Sequence, residues 1–420
     1  MRRREFLMTA TGLLLQQGLS GCQVGENAAL TVQALKGSIP AQLPDRFRRH
    51  AAQLFSQRPN LQLTAVPQLD GLFKQLQQWQ QQVQTQAEPA SSPWLRFGSR
   101  PGAKGAADLV SLGDYWLTPA IRQGLIQPLR PQPWTHWAQV PERWQALVRR
   151  DRQGMLQPNG EVWAAPYRWG TTLIAYREDA FQRLGWQPTD WPDLWRSELR
   201  HRLSLLDQPR EVIGLALKSL GYSYNETDLE AISDLRSTLH ALHQQVKFYS
   251  SDTYLQPLLL GDTWLAVGWS NEVLPLLAYN RGIRVVIPRS GTAIWNDVWV
   301  RPAQAPALPA NHPPTFADAW IDFCWDPDVA LQLSLITRAA SPIVTPQSGH
   351  RDSPPETRRE SDAPPSPATR QPQAIQDKDL AKLSLQLPEP DLLDRCEFLH
   401  PLEASALQQY RQHWLTMRQA

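Results

Sequence analysis

The chain is 420 residues long, 42% hydrophobic and 20% charged, the composition of a soluble globular protein large enough for two or three domains. Its formal net charge of +2, with no dense basic stripe, argues against nucleic acid as a partner. The high counts of 37 Pro and 18 Trp point to many loops and to wide flat contact surfaces or a large core.

Residues 1–22 form an export signal and not part of the fold. Arg2, Arg3 and Arg4 precede an apolar stretch over 7–19 that Gln16 and Gln17 interrupt, which is too short to span a bilayer. Arg3-Arg4-Glu5-Phe6-Leu7 resembles the twin-arginine export motif. Leu19-Ser20-Gly21-Cys22 resembles the lipobox of bacterial lipoproteins, where the Cys is acylated and becomes the mature N-terminus. Together they imply a periplasmic protein anchored to the membrane by a lipid on Cys22, one that does not span it.

Strand patterns over 30–35 and 61–66 flank a helix over 43–58, a βαβ opening that predicts a parallel sheet. A glutamine-rich helix follows over 71–86, with Leu72, Leu76 and Trp79 on one side. Residues 88–107 are rich in Pro, Ser, Gly and Ala and read as a loop. The strand over 107–112 ends at Gly113-Asp114-Tyr115, and a helix starts at Leu117. Another helix is expected over 134–150, with Trp137 and Trp144 on one side. Residues 163–176 run from a proline turn into a strand. Residues 186–195 read as a loop leading into a helix, 203–206 as a short apolar run, and 210–220 and 229–246 as helices. Two further helices over 315–325 and 328–336 are separated by Asp326-Pro327. Residues 346–376 are too polar to bury a core and read as a disordered insertion, and 377–420 as a C-terminal helical segment packed on the rest, its last helix over 402–419.

The stretch over 260–302 organises the chain. It holds two apolar, aromatic runs, Trp264–Trp269 and Ile294–Val300, with a short helix-like segment over 271–279 and a strand over 283–287 between them. Trp269, Trp295 and Asp297 stand at the ends or turns of these runs, where an α/β sheet presents side chains to a ligand. Two indole faces and a carboxylate are the parts needed to hold an organic cation. No G-x-S-x-G, P-loop, G-x-G-x-x-G or metal-ligand spacing is present, so no cofactor and no metal are expected. Two acids of a glycosidase leave no local signature, so an exported glycan or ester hydrolase stays open as an alternative. Cys324 and Cys396 either pair in an oxidising compartment or stay free thiols.

Six phrases resemble the periplasmic spermidine/putrescine-binding proteins of bacterial ABC importers. They are ADLVSLGDYW, APYRWGTTLIAY, WPDLWRSELRHRLSLLDQPREV, LKSLGYSYNETD, FYSSDTYLQPLLLGDTWLAVGWSNE and VVIPRSGTAIWNDVWVRPA, in order over most of 107–303. The resemblance implies an α/β fold of the two-lobed type II periplasmic-binding-protein kind, each lobe a mixed sheet flanked by helices, with a two-strand hinge. Lobe one would comprise 28–168 and 297–345 and lobe two 169–296, with crossings near 167–171 and 295–299. The molecule would be a monomer that closes its cleft on a small cationic, polyamine- or diamine-like solute and delivers it to an inner-membrane permease, without catalysis. A member that has lost transport and serves as a sensor is a further alternative.

The family's amine-binding positions fall on Tyr115, Glu211, Ser251, Trp269, Trp295 and Asp297. The resemblance makes the two tryptophans a sandwich for the methylene chain and the two carboxylates partners for ammonium groups. Three departures stand out. A family aspartate three residues before the glutamate is Gln208, an aromatic pair after the first strand falls on Lys36 and Ile39, and a serine near the tyrosine falls on Gly113. One carboxylate fewer and a lysine more shift the expectation from a long polyamine towards a shorter diamine, a monoamine or another small solute.

Overall fold

The computed structural model describes residues 29–86, 105–306, 308–309, 312–344 and 383–419. The signal with Cys22 and the insertion expected over 346–376 lie outside the described residues. Among the described residues no helix is long and apolar enough to cross a membrane.

Among the described residues, thirteen strands carry the fold. They are β1 (Ala29–Leu35), β2 (Asn60–Val66), β3 (Leu109–Gly113), β4 (Ile126–Gln127), β5 (Arg149–Arg150), β6 (Glu161–Val162), β7 (Ala165–Arg177), β8 (Leu203–Leu205), β9 (Val246–Tyr249), β10 (Leu265–Trp269), β11 (Ile283–Val286), β12 (Ala293–Pro302) and β13 (Glu397–Phe398). Eleven of them share one mixed sheet in the order β2-β1-β3-β12-β7-β10-β8-β9, with β11 also on β7 and β13 and β4 also on β12. The βαβ opening forms as its pattern predicts: β1 and β2 pair in parallel, and the helix Leu43–Phe55 between them buries Leu43, Phe47 and Ala51, four residues apart on one face.

Side chains gather in two large cores. One holds β1, β3, the helices Phe316–Cys324 and Pro327–Thr337, and a chain of aromatic contacts from Tyr167 stacked on Trp299 (4.4 Å) through Trp320 to Phe47. The other holds Ile174, Tyr176, the helices Pro209–Ser219 and Leu235–Gln245, and Leu203 and Leu205 of β8; a smaller apolar cluster lines β10 beside it. The long strands β7 and β12 link the two. β7 leaves the first core at Trp169 and enters the second group at Leu173, and β12 makes the return from Ala293 to Ile294. The thirteen residues of β7, APYRWGTTLIAYR, have a β-branched and aliphatic centre and are almost wholly buried, as a strand covered on both faces requires.

The C-terminal segment makes a third crossing beyond the two-strand hinge expected. Cys396 and Phe398 belong to the first core, and Leu402, Ala406, Tyr410 and Met417 to the second. Between them β13 pairs in parallel with the start of β12, Lys218 Nζ meets Glu397 Oε1 at 2.6 Å, and Arg210 donates to the His400 carbonyl at 3.0 Å.

Two helix expectations need correction. The segment over 134–150 is a single 3-10 turn, Trp137–Gln139, then a short helix, Glu142–Val148. Pro141 separates them, because it lacks an N–H and holds the preceding residue extended. The helix placed over 229–246 likewise begins only at Leu235, after a separate 3-10 turn over Leu229–Ala231. Cys324 and Cys396 are both buried free thiols.

Gly268 lies in the middle of β10, where a Cβ would overlap the ring of buried Tyr254. Gly268→Ala is therefore expected to lower stability by about 1–3 kcal/mol through overpacking, read as a lower urea midpoint at unchanged m-value. An unshifted midpoint would show that the Tyr254 ring can move aside freely.

Candidate functional site

Successive side chains of a strand alternate between its faces. Arg168, Gly170 and Thr172 of β7 therefore share one face, and Trp295 and Asp297 of β12 share the matching one. The register pairs Asp297 with Arg168, Trp295 with Gly170, and Trp269 of β10 with Thr172. The opposite face carries Trp169, 1% exposed and packed in the first core. The pleat, with a register shift between Asp297 and Val298, thus sorts core tryptophans from the two expected at the site: Trp169 and Trp299 are buried, whereas Trp269 and Trp295 are half-buried. Gly170 has a local purpose, since a Cβ there would run into the Trp295 indole and the Ser270 hydroxyl. The indole of Trp295 lies against bare backbone, and its Nε1 is buried without a hydrogen-bond partner.

Asp297 is not a free carboxylate. Arg168 meets its Oδ2 through Nε at 2.7 Å and Nη2 at 2.6 Å, and both side chains are 3% exposed. Burial alone would lower the Arg168 guanidinium, but the Asp297 charge outweighs it and holds Arg168 above its ordinary value. The same guanidinium lies 5.7 Å from the centre of the Trp295 ring, within cation–π range. The ladder shifts register beside this pair, between Asp297 and Val298, where β7 supplies Pro166.

Glu211 stands in the first turn of the helix Pro209–Ser219, where the helix dipole favours a carboxylate. It is 5% exposed. The Thr172 hydroxyl lies 3.1 and 3.0 Å from its two oxygens, and the Trp269 indole N–H donates to Oε1 at 3.0 Å. Loss of hydration pushes its carboxyl above the ordinary glutamate value, against the pull of these bonds and of the Arg210 charge. Gln208 at the start of this helix makes no capping bond.

Tyr115 follows β3 and is 56% exposed, with its ring edge-on to Trp116. It lies in the neighbourhood of Arg210, the residue before Glu211. Nearby, Gln68 Nε2 donates to Asp252 Oδ1 at 2.8 Å, a contact between the two bodies. Ser251, next to Asp252, has a buried Oγ with no partner among the described residues, Glu211 and Asp297 included. Lys36 is exposed and Ile39 half-buried.

Three participants escaped the reading of the sequence. Arg168 and Thr172 follow from strand alternation once the β7–β12 register is known. Asp114 was visible at the end of β3 in GDYW, but nothing in the string marks its environment. Its Oδ1 accepts from the N–H of Tyr115 at 3.1 Å and from that of Asn296 at 3.4 Å, while its Oδ2 is buried without a partner. Loss of hydration pushes the carboxyl from 3.8 up to about 7, against the pull of Arg150.

The sign of the resulting pH dependence follows directly. Between 3.8 and about 7 the folded chain holds a proton on Asp114 that the unfolded chain has released. The stability this contributes is complete below the unfolded value and is lost as pH rises through about 7. Asp114→Asn, neutral throughout, should flatten the decline measured by urea unfolding between about pH 5 and about pH 8. An identical slope in both proteins would count against a neutral Asp114 in the fold.

Comparison with known proteins agrees with this architecture. A spermidine/putrescine-binding periplasmic protein of Salmonella typhimurium is 30% identical over 231 residues, 55% of this chain and 62% of that protein. A putrescine/cadaverine-binding protein of Pseudomonas aeruginosa is 28% identical over 204 residues, 45% of this chain and 56% of that protein. The match thus spans less than two thirds of either relative. Among solved structures, the spermidine/putrescine ABC transporter substrate-binding protein PotD of Streptococcus pneumoniae superposes with a TM-score of 0.64 at 18% identity, covering 93% of this chain and 99% of that one. The expected two-lobed type II periplasmic-binding-protein fold is therefore present. The family model for bacterial extracellular solute-binding proteins matches residues 104–360, more than half of the chain. The chain belongs to the bacterial extracellular solute-binding protein family.

Proposed function

We propose that this protein is the solute-binding component of an ABC importer, taking a small cationic amine into the cleft between its lobes and passing it to an inner-membrane permease without chemical change. One observation carries the reading: Glu211 is a buried carboxylate that a hydroxyl and an indole N–H hold in place, and no Lys, Arg or His forms an ion pair with it among the described residues. A buried carboxylate without a cation is costly unless a ligand supplies one. The half-buried indoles of Trp269 and Trp295 lie on the same face and offer flat apolar walls for a methylene chain. The names of the relatives, which bind spermidine, putrescine or cadaverine, favour the same class. Tyr115 from one lobe and Ser251 from the other line the rim, and contacts to both lobes give the ligand a differential affinity that closes the hinge. The export signal and Cys22 suit a periplasmic protein held at the membrane by acyl chains.

Two expected outcomes test this. Glu211→Gln should weaken amine binding by about 2–5 kcal/mol in calorimetric titration, since a buried ammonium would lose its charged partner. Unchanged affinity would remove Glu211 from the site, and turnover of a glycan or ester by the purified protein would favour the hydrolase reading. Cys22→Ala should release the protein from the membrane fraction of expressing cells, and retention there would overturn the lipid anchor.

A further inference from the structure

The amines that the relatives are named for carry at least two cationic groups. A cleft that binds such a ligand by its ends needs a free carboxylate at each end. Here one of the two carboxylates singled out in the sequence is already occupied. Both Arg168 contacts fall on Asp297 Oδ2, at 2.6 and 2.7 Å, and the pair is 97% shielded from solvent, each side chain being 3% exposed. The Arg168 guanidinium also stands 5.7 Å from the centre of the Trp295 ring, so the protein's own cation holds the acid and lies beside the indole at that end. The position before the Glu211 helix is Gln208, which carries no charge. Asp114, the remaining acid near Asp297, accepts from the backbone N–H groups of Tyr115 and Asn296 at 3.1 and 3.4 Å. Of the two carboxylates singled out in the sequence, Glu211 is left without an ion pair among the described residues.

We infer that the cleft selects a monocationic amine, a single ammonium group on an apolar chain, and that Arg168 is the residue that excludes the second charge of a diamine or polyamine. The inference rests on the proposed amine-binding role and narrows it. The ammonium docks on Glu211 beside Trp269. The apolar tail runs along Trp295 towards Arg168, where a second ammonium would meet a fixed like charge and find Asp297 already paired. Removing Arg168 frees Asp297 and restores a two-ended site.

The test titrates the full chain at neutral pH with 1-aminopentane, 1,5-diaminopentane and spermidine, which differ in the number of cationic groups. The wild type is expected to bind 1-aminopentane about tenfold or more tightly than 1,5-diaminopentane, and spermidine more weakly still. In Arg168→Met that order is expected to invert, while Arg168→Lys, which keeps the charge, retains the wild-type order. A wild type that binds the diamine or spermidine as tightly as the monoamine overturns the inference and leaves the amine-binding role standing. An Arg168→Met protein that folds and keeps the wild-type order also overturns it. Failure of all three amines to bind would instead overturn the amine-binding role itself. The wild-type comparison decides the matter even where Arg168→Met does not fold.

Discussion

The ion pair between Arg168 and Asp297 sits where the two long strands pass from one lobe to the other, and the rest of the cleft is arranged about it. Both charges are out of water, which is tolerable only because they meet at 2.6 Å with nothing between them. Directly opposite each other on β7 and β12, they lock the register of the crossing strands. Register in turn decides which residues reach that face, because a slip of β12 by one residue would send Trp295 to the core face. One pair of charges therefore holds together the hinge, the sorting of the tryptophans and the electrostatics of one end of the site.

The second lobe is tied to that hinge by contacts that are far apart in sequence. Thr172 of β7 donates to Glu211, Trp269 of β10 donates to the same acid, and Tyr254 accepts the Trp269 backbone N–H at 3.2 Å while donating to Glu272 at 2.8 Å. Arg210, the neighbour of Glu211, is bound to the C-terminal crossing through the His400 carbonyl and to Asn225. The C-terminal crossing thus touches the residue beside the acid that we assign to the ligand. Opening of the lobes has to bend three chain crossings, each with its own hydrogen bonds, so the hinge is stiffer than two strands alone would make it.

Much of this fold can be read from the string of residues. The βαβ opening, the apolar spacing of Leu43, Phe47 and Ala51, and the aromatic, β-branched run of β7 are local patterns, and local patterns survive without coordinates. Proline breaks are also local, yet Pro141 was passed over because Trp137 and Trp144 suggested one continuous helix. Pairing is where the sequence runs out. That Asp297 faces Arg168, 129 positions away, depends on a strand register with a bulge in it, and no spacing rule marks it. The ionisation of Asp114 is hidden for the same reason, since its environment comes from Asn296 and Arg150, neither of them a neighbour in the chain. The third crossing escaped because two-residue β13 leaves no periodic signal.

Arg168 occupies the carboxylate that the resemblance leaves for the solute, and on the proposed reading this narrows the kind of cation that can bind. The central physical claim is that a ligand with one ammonium group bridges the lobes and closes them. X-ray scattering of the protein titrated with 1-aminopentane, and separately with 1-pentanol of the same shape, measures that closure directly. The expected result is a smaller radius of gyration with the amine and none with the alcohol; contraction by both alike, or by neither, would contradict it.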